Sequence, residues 1–280
     1  MGPEWHLCVP LHKSQRSQPH REQWCIALQT RQKLVYERQL VNIGDFAASV
    51  DEFFLNGGCG LNITLPFKTE AHDYADRLTD RALMAGAVNT LSRTQDGNIL
   101  GDNSDGFGLV TDIKNNLGWT IRSKRVLVMG AGGAVRGILG PLSREQPVSL
   151  VIVNRTVTTA MDLVEALPDE LEISVCSYDD LHERSFDLII NGTSASLFGK
   201  ELRLPDMLLS SSDTACYDMM YGRHSSAFMG WADKRGADVS DGLGMLVEQA
   251  AESFSIWRGI RPNTQPVINL LREKLNIARG

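Results

Sequence analysis

A glycine turn framed by two apolar runs limits what this chain can fold into more than any other feature. Val126-Leu127-Val128-Met129 has the length of a strand and enters Gly130-Ala131-Gly132-Gly133-Ala134-Val135-Arg136-Gly137 directly. A helical pattern follows to about Arg144, and a second apolar run, Leu150-Val151-Ile152-Val153, ends in Asn154-Arg155-Thr156. Together these read as one strand–turn–helix–strand unit of the dinucleotide-binding kind. Glycine lets the chain turn tightly and lets a pyrophosphate approach the backbone. The helix then offers it unpaired N–H groups and the positive end of its dipole. At the end of the second strand an NAD-binding unit places an Asp or Glu on the ribose 2′-hydroxyl, and an acid there repels a 2′-phosphate. Here Asn154 and Arg155 stand instead, so the expected nucleotide is NADP.

Length and charge narrow the remaining possibilities. The 280 residues suffice for two domains with separate cores. At 42% hydrophobic and 22% charged, the composition is that of a soluble globular protein. A net charge of −6 argues against a nucleic-acid or anionic-membrane surface, though not against a small anionic ligand. No apolar run approaches the ~20 residues of a membrane span, and no secretory signal is read at the N-terminus. Cys8, Cys25, Cys59, Cys176 and Cys216 are scattered and odd in number. They fit reduced thiols in the cytoplasm, not a disulfide framework or a zinc site, and no metal is expected.

The chain alternates strand-like and helix-like segments, which implies an α/β fold. The first strand-like runs are Trp5–Pro10, Leu34–Leu40, Cys59–Leu65 and Ala87–Ser92, with helices over Ile43–Leu55 and Lys68–Leu78. Asn42 is the expected cap of the first of these helices, with Asp45 three residues on. A second series supplies strands at Glu172–Cys176, Phe186–Asn191, Ala215–Asp218 and Ala237–Val239. A helix then runs to Trp257 and a last one starts at Gln265. The expected organisation is a substrate-binding α/β domain with a mainly parallel sheet (1–105 and 242–280) and a doubly wound nucleotide domain (106–241). The C-terminal helices return to the first domain, and the ligand lies in the cleft between the two.

Three polar clusters interrupt the first domain: Asn62-Ile63-Thr64-Leu65-Pro66-Phe67-Lys68, Ala85-Gly86-Ala87-Val88-Asn89-Thr90 and Gly101-Asp102-Asn103-Ser104-Asp105-Gly106. Taken singly they are a surface lysine, a structural Asn and a solvated turn. A lysine is nonetheless odd at a helix start, where the dipole prefers an anion. On successive strand ends of one layer they converge at one mouth facing the nucleotide. A Lys–Asp pair beside a carbonyl suits hydride transfer, with the lysine passing the proton and the Asp orienting it.

These clusters, with Gly130–Gly137, Asn154-Arg155-Thr156 and Asp241-Gly242-Leu243-Gly244-Met245-Leu246-Val247-Glu248-Gln249-Ala250, stand in an order that resembles the NADP-using, biosynthetic shikimate dehydrogenases from about Leu34 to the C-terminus. The resemblance implies reversible NADPH-dependent reduction of 3-dehydroshikimate to shikimate, a step toward chorismate and the aromatic amino acids. It implies Lys68 and Asp105 as the catalytic pair, and Asn62, Thr64, Asn89 and Gln249 on the substrate hydroxyls, with Tyr221 closing from the nucleotide side. Gly130, Ala131, Gly132, Gly133 and Ala134 would cradle the pyrophosphate, and Asn154, Arg155 and Thr156 the 2′-phosphate. Thr193, Gly242, Met219 and Met245 would line the rest of the cofactor site, although for both methionines ordinary core packing fits as well. The family includes monomers and homodimers.

The N-terminal loop departs from this pattern. The family's first strand runs through Gly-Asn-Pro into H-S-x-S-P-x-x-H, whose two serines hold the substrate carboxylate. This chain has Cys8-Val9-Pro10 and then His12, Ser14, Ser17, Pro19 and His20, with the serines three apart. Ser14 and Ser17 are the expected carboxylate ligands, with Lys13 and Arg16 nearby. The altered loop keeps two other readings open, a quinate/shikimate-type or shikimate-dehydrogenase-like paralogue and a nucleotide-binding protein whose substrate site has decayed. A local reading-frame shift produces such a foreign stretch between normal flanks. Translating the underlying nucleotide sequence in the other two frames is then expected to restore S-x-S-P-x-x-H; failure in both frames removes the idea.

Overall fold

The computed structural model describes residues 6–11, 26, 29–31, 35–168, 171–193, 204–211, 213–222 and 226–275. Two six-stranded sheets organise the chain. The second is set by the alternating apolar runs: β7 (Arg125–Met129), β8 (Ser149–Val153), β9 (Ile173–Cys176), β10 (Leu188–Asn191), β11 (Ala215–Asp218) and β12 (Asp238–Asp241). All pair in parallel in the order β9-β8-β7-β10-β11-β12. This is the doubly wound order, with its switch point between β7 and β10.

Parallel strands buried on both faces need apolar residues at every position. Val126, Val128, Leu150, Ile152, Leu188, Ile190 and Tyr217 face one core, with Val135, Ile138 and Leu142 of α5 (Gly133–Arg144) and Leu163 of α6 (Val157–Glu165). Leu127, Met129, Val151, Val153, Ile189 and Cys216 face the other, with Phe228 and Trp231 of α7 (Ala227–Asp233). The period-two alternation thus splits each strand between two helical layers.

The first sheet contains β1 (His6–Leu11), β2 (Val35–Leu40), β3 (Gly60–Asn62), β4 (Arg77–Leu78), β5 (Thr90–Arg93) and β6 (Ile99–Asp102), ordered β2-β1-β3-β5-β6-β4. Five strands run one way, and β5 alone is antiparallel to both neighbours. The sheet is therefore mainly parallel with a reversed strand, because β5 and β6 form a hairpin that turns at Gly97. Helices α1 (Phe46–Leu55), α2 (Lys68–Tyr74) and α3 (Asp80–Ala85) pack on it through Phe46, Val50, Phe53, Phe54, Ala71 and Ala82.

Several boundaries differ from the sequence reading. β3 stops at Asn62, after which the chain enters a turn closed by Phe67 N–H on Thr64 O (3.0 Å). β5 begins only at Thr90, since Val88 and Asn89 give their N–H groups to Lys68 and Asp102 outside the ladder. The helix expected to reach Leu78 ends at Tyr74, where Ala75 is extended. Asn42 does not cap α1: Asp45 is the cap residue, and the Asn42 amide donates to the Asp45 carboxylate (3.1 Å). The strand β6 and helix α3 were not expected.

Helix α4 (Asp105–Thr111) joins the two layers and runs into a π-helical turn, Asp112–Asn116. It lies against α5 and against α8 (Leu243–Arg258), which returns to the first layer together with α9 (Gln265–Leu275). Glycine permits both approaches. A Cβ on Gly106 would come within 2.6 Å of Gly137 O, and one on Gly108 within 2.6 Å of Gln249 Cγ. Buried Asp112 accepts from the Tyr217 hydroxyl (2.6 Å) and the Asn116 amide (2.9 Å), pinning the π-turn to β11. Burial raises the Asp112 carboxyl above its ordinary range, the two hydrogen bonds opposing the shift, and burial likewise pushes the Tyr217 phenol well up.

One ion pair clamps the switch-point strands. Asp187, just before β10, accepts from Arg125 at the start of β7 through Nε (3.1 Å), Nη2 (2.9 Å) and the backbone N–H (2.8 Å), and from Ser210 Oγ (2.8 Å). Hydrogen bonds from Arg125 hold the Asp187 carboxyl well below the usual range, so its contribution is present above the unfolded carboxyl pKa and lost as pH falls. Asp187→Asn is expected to cost about 1–2 kcal/mol at pH 7, a figure kept low because Arg125 is partly exposed. It should also flatten the fall in stability below about pH 4. Denaturant melts at pH 7 and pH 3 check this; an unchanged pH slope would remove the pair from the acid response.

Candidate active site

The three polar clusters meet where α2 and α4 begin. Lys68 opens α2 with its side chain 16% exposed, and Asp105 opens α4 with 4% exposed. Lys68 Nζ donates to Asp105 Oδ2 at 2.6 Å. Backbone bonds fix the approach: Ile63 N–H donates to Asn89 O and Val88 N–H to Lys68 O, both at 2.8 Å. Burying the Asp105 charge requires partners for its remaining lone pairs. Asn89 Nδ2 donates to Asp105 Oδ1 (2.9 Å), and the Asp105 N–H donates to Asn103 Oδ1 (3.0 Å). Asn89 is held from its other end as well, its Oδ1 accepting from Ser104 N–H (3.0 Å) and Thr90 Oγ1 (3.0 Å).

The other expected substrate residues lie on adjoining elements. Asn62, at the end of β3, donates to Ser253 Oγ (2.8 Å) and accepts from Tyr36 OH (3.0 Å). Thr64 is half-buried in the turn before Lys68, and Gln249 lies on α8 one turn before Ser253. Tyr221 follows β11 and is 44% exposed. Ser14 and Ser17 fall outside the described residues. Tyr36, Thr90 and Ser253 were missed from sequence. Ser253 carried a signal, since it stands four residues after Gln249 and shares its helix face, and Thr90 carried one as the last residue of the second polar cluster.

The glycine turn adjoins this cluster. A Cβ on Gly137 would stand 3.2 Å from Asp105 Oδ2, so the first turns of α5 abut the carboxylate. Arg136 crosses from α5 to the other layer, where a Cβ on Gly86 would be 2.7 Å from its Nη2. Gly130 has φ +102, a conformation that L side chains rarely adopt. Above Gly132 and Gly133 the space is open, with nothing within 4 Å of an added Cβ. An open glycine floor at the N-terminus of a twelve-residue helix, at the C-terminal ends of β7 and β10, fits a dinucleotide pyrophosphate.

Around that floor, Ala131 and Ala134 are half-buried and Arg155 is exposed. Asn154 Nδ2 donates to Thr156 O (2.8 Å), shaping the turn into α6. Thr193 donates through N–H (3.1 Å) and Oγ1 (2.7 Å) to Asn191 Oδ1 after β10. Gly242 must be glycine, because an added Cβ would enter the Met219 backbone. Met219 Sδ is half-buried beside Gly192, whereas Met245 is 5% exposed and packs in the core shared with Tyr217. A separate cavity of about 330 Å3, lined by Arg81, Phe107, Lys114, Pro141 and Arg144 among others, contains neither Lys68 nor Asp105. Among the described residues, no group of three or more His, Cys, Asp or Glu is placed to hold a metal. No helix there is long and apolar enough to cross a membrane.

The buried Asn89–Asp105 contact makes a prediction. Asn89→Asp sets two carboxylates within hydrogen-bonding distance, which cannot both ionise, so one pKa rises in the folded state. An acid with a raised folded pKa stabilises fully below its unfolded pKa and loses that contribution as pH rises. The variant is therefore expected to melt several degrees below wild type at pH 8 and to recover part of the deficit near pH 5, by calorimetry. Equal deficits at both pH values would show that this amide is not held against Asp105.

Comparison with known proteins agrees with this geometry. Three family profiles match: the shikimate dehydrogenase substrate binding domain over residues 10–91, shikimate / quinate 5-dehydrogenase over 112–201, and the shikimate 5′-dehydrogenase C-terminal domain over 242–272. A shikimate dehydrogenase (NADP(+)) of Cellvibrio japonicus is 50% identical over 268 residues, covering 95% of each chain. One of Laribacter hongkongensis is 51% identical, covering 95% of this chain and 96% of its own. Among solved structures, an Ael1 enzyme from Pseudomonas putida superposes with a TM-score of 0.88 at 40% identity, covering 96% of this chain and 98% of that one. Shikimate 5-dehydrogenase from Thermus thermophilus, in complex with NADP(H) and shikimate, does so at 0.83 and 26%, covering 97% and 100%. With relatives of this identity spanning nearly its whole length, the chain belongs to the shikimate dehydrogenase family.

Proposed function

We infer that this chain is an NADP-dependent shikimate dehydrogenase, reducing the keto group of 3-dehydroshikimate reversibly to shikimate. One observation carries the assignment of the chemistry: a lysine ammonium 2.6 Å from a buried carboxylate, against the first turns of the glycine-rich helix. When bound, NADPH supplies the hydride. Lys68 gives its proton to the oxygen as the carbonyl becomes an alcohol, and takes it back in the reverse direction. Asp105 aims the ammonium and offsets its charge, while the Asn89 amide prevents the carboxylate from turning away.

The substrate presents several hydroxyls and a carboxylate. Asn62, Thr64, Asn89 and Gln249 supply polar groups from β3, the 63–67 turn, the segment before β5 and α8, and Tyr221 closes from the nucleotide side. Ser14 and Ser17 remain the proposed carboxylate ligands. Gly130, Ala131, Gly132, Gly133 and Ala134 form the proposed pyrophosphate cradle. Asn154, Arg155 and Thr156 hold the 2′-phosphate, for which the exposed Arg155 charge and the lack of an acid on this strand end are the support. Thr193, Met219, Gly242 and Met245 complete the cofactor wall, with Met245 acting through packing. Residues 1–105 and 242–280 make the proposed substrate domain and 106–241 the nucleotide domain. The enzyme is proposed to work in the cytoplasm as a monomer or homodimer.

Initial rates of shikimate oxidation with NADP, with NAD and quinate run in parallel, test the assignment. NADP-linked turnover is expected at low shikimate concentration, and Lys68→Ala is expected to lose at least about 10²-fold in kcat while binding NADP as wild type does. Equal turnover in the variant would remove the lysine from the mechanism; quinate turnover alone would overturn the substrate.

A further inference from the structure

Behind the proton-transfer pair lies a second carboxylate that faces no open site. Asp102 ends β6 with a side chain 4% exposed, and four donors occupy it. Arg81 of α3 forks onto both oxygens, Thr79 Oγ1 donates to Oδ1 (2.7 Å), and the Asn103 N–H donates to Oδ1 (2.7 Å). Three of these donors sit on Oδ1 and one on Oδ2, and with 4% of the side chain exposed the carboxylate is turned inward to Arg81, Thr79 and Asn103. What it fixes is Asn103, whose two side-chain atoms reach both walls of the site. Its Oδ1 accepts the Asp105 N–H (3.0 Å) and its Nδ2 donates to Ala87 O (3.0 Å), two residues before Asn89.

Arg81 also faces outward from this pair. Its Nη1 donates to Glu252 Oε1 (2.9 Å) on α8, and Glu252 accepts from Arg261 (2.7 Å) through its other oxygen. The Arg81 and Arg261 guanidinium carbons lie 5.4 and 5.0 Å from the ring centroid of Phe107, two residues into the helix that Asp105 begins. One guanidinium thus touches the end of β6, the start of α4 and the helix that carries Gln249 and Ser253.

We propose that Arg81 and Asp102 are positioning residues for the reaction, whose buried pair sets, through Asn103, where Asp105 and Asn89 stand relative to Lys68. The proposal rests on the reading of Lys68 and Asp105 as the proton-transfer pair. A fork onto a carboxylate holds direction as well as distance, which a lysine point charge does only in part. Misplacing a reacting group by about 1 Å costs on the order of 10²-fold in rate.

The test compares Arg81→Met, Arg81→Lys, Asp102→Asn and Arg261→Gln with wild type, and runs Lys68→Ala beside them. Full-length protein is assayed for shikimate oxidation and, by fluorescence titration, for NADP binding. Arg81→Met and Asp102→Asn are expected to lose roughly 10²-fold in kcat, with KM for shikimate and NADP affinity within about threefold of wild type. Arg81→Lys should regain about tenfold of that loss. Arg261→Gln cuts the outer link to Glu252 together with the Arg261–Glu248 pair, leaves the Arg81–Asp102 fork in place, and should lower the melting temperature while kcat stays within about threefold. Asp102→Asn keeps the shape of the side chain and decides the matter should Arg81→Met not fold. Folded variants with wild-type kcat, losses shared equally by NADP binding, or a lysine variant no better than methionine would each overturn the proposal. If Lys68→Ala loses turnover while Arg81→Met keeps it, the positioning role alone fails; if Lys68→Ala keeps it, the acid–base assignment fails.

Discussion

Asp105 carries a charge into a place almost without water, and much of the surrounding architecture answers that cost. A buried carboxylate is tolerable only when its lone pairs are filled and a cation stands near. Lys68 reaches the carboxylate from the start of α2 and Asn89 from the segment before β5, while Asn103, just after β6, holds the Asp105 backbone by accepting its N–H. Each partner arrives on a different element, so the ion pair forms only when the first sheet is assembled in its observed order. The reversed strand β5 matters here, because its hairpin with β6 brings Asn89 and Asp105 to the same end of the sheet.

The same carboxylate ties the two layers together. Asp105 is the first residue of α4, and that helix is held on both sides by glycine-permitted contacts, to α5 through Gly106 and to α8 through Gly108. Farther along, the π-turn anchors to β11 through the Asp112–Tyr217 bond. α4 is therefore positioned by the nucleotide layer at one end of its path while it presents the Asp105 carboxylate to the other layer. Shikimate dehydrogenase chemistry needs that coupling: hydride and proton reach adjacent atoms of one substrate, so the groups that deliver them must be set in a common frame.

The cofactor turn was legible because its physics is local. Apolar strands, a glycine floor and the Asn154-Arg155 pair lie within about thirty residues, and each acts through backbone geometry or charge that the sequence states directly. Lys68, Asn89 and Asp105 were legible as polar interruptions at strand ends, and order along the chain placed them together. Tyr36 was not legible, and Thr90 only as a member of the second polar cluster. A tyrosine and a threonine on strands are ordinary, and only the fold sets Tyr36 OH against Asn62. β6 and α3 were missed because four and six residues with mixed polarity give no clear period.

Sequence by itself determined the α/β class, the doubly wound nucleotide layer, the preference for a 2′-phosphate and the choice of Lys68 and Asp105 as the proposed reactive pair. These follow from short-range patterns, in which a residue's neighbours along the chain are its physical context. Tertiary structure decided the rest: that β5 runs against its sheet, that glycines on α4 admit two helices, and that Arg81 grips Asp102 and reaches Glu252, 171 positions farther along the chain than itself. Packing and charge pairing at such separations depend on which surfaces the chain brings into contact, and no local pattern encodes that choice.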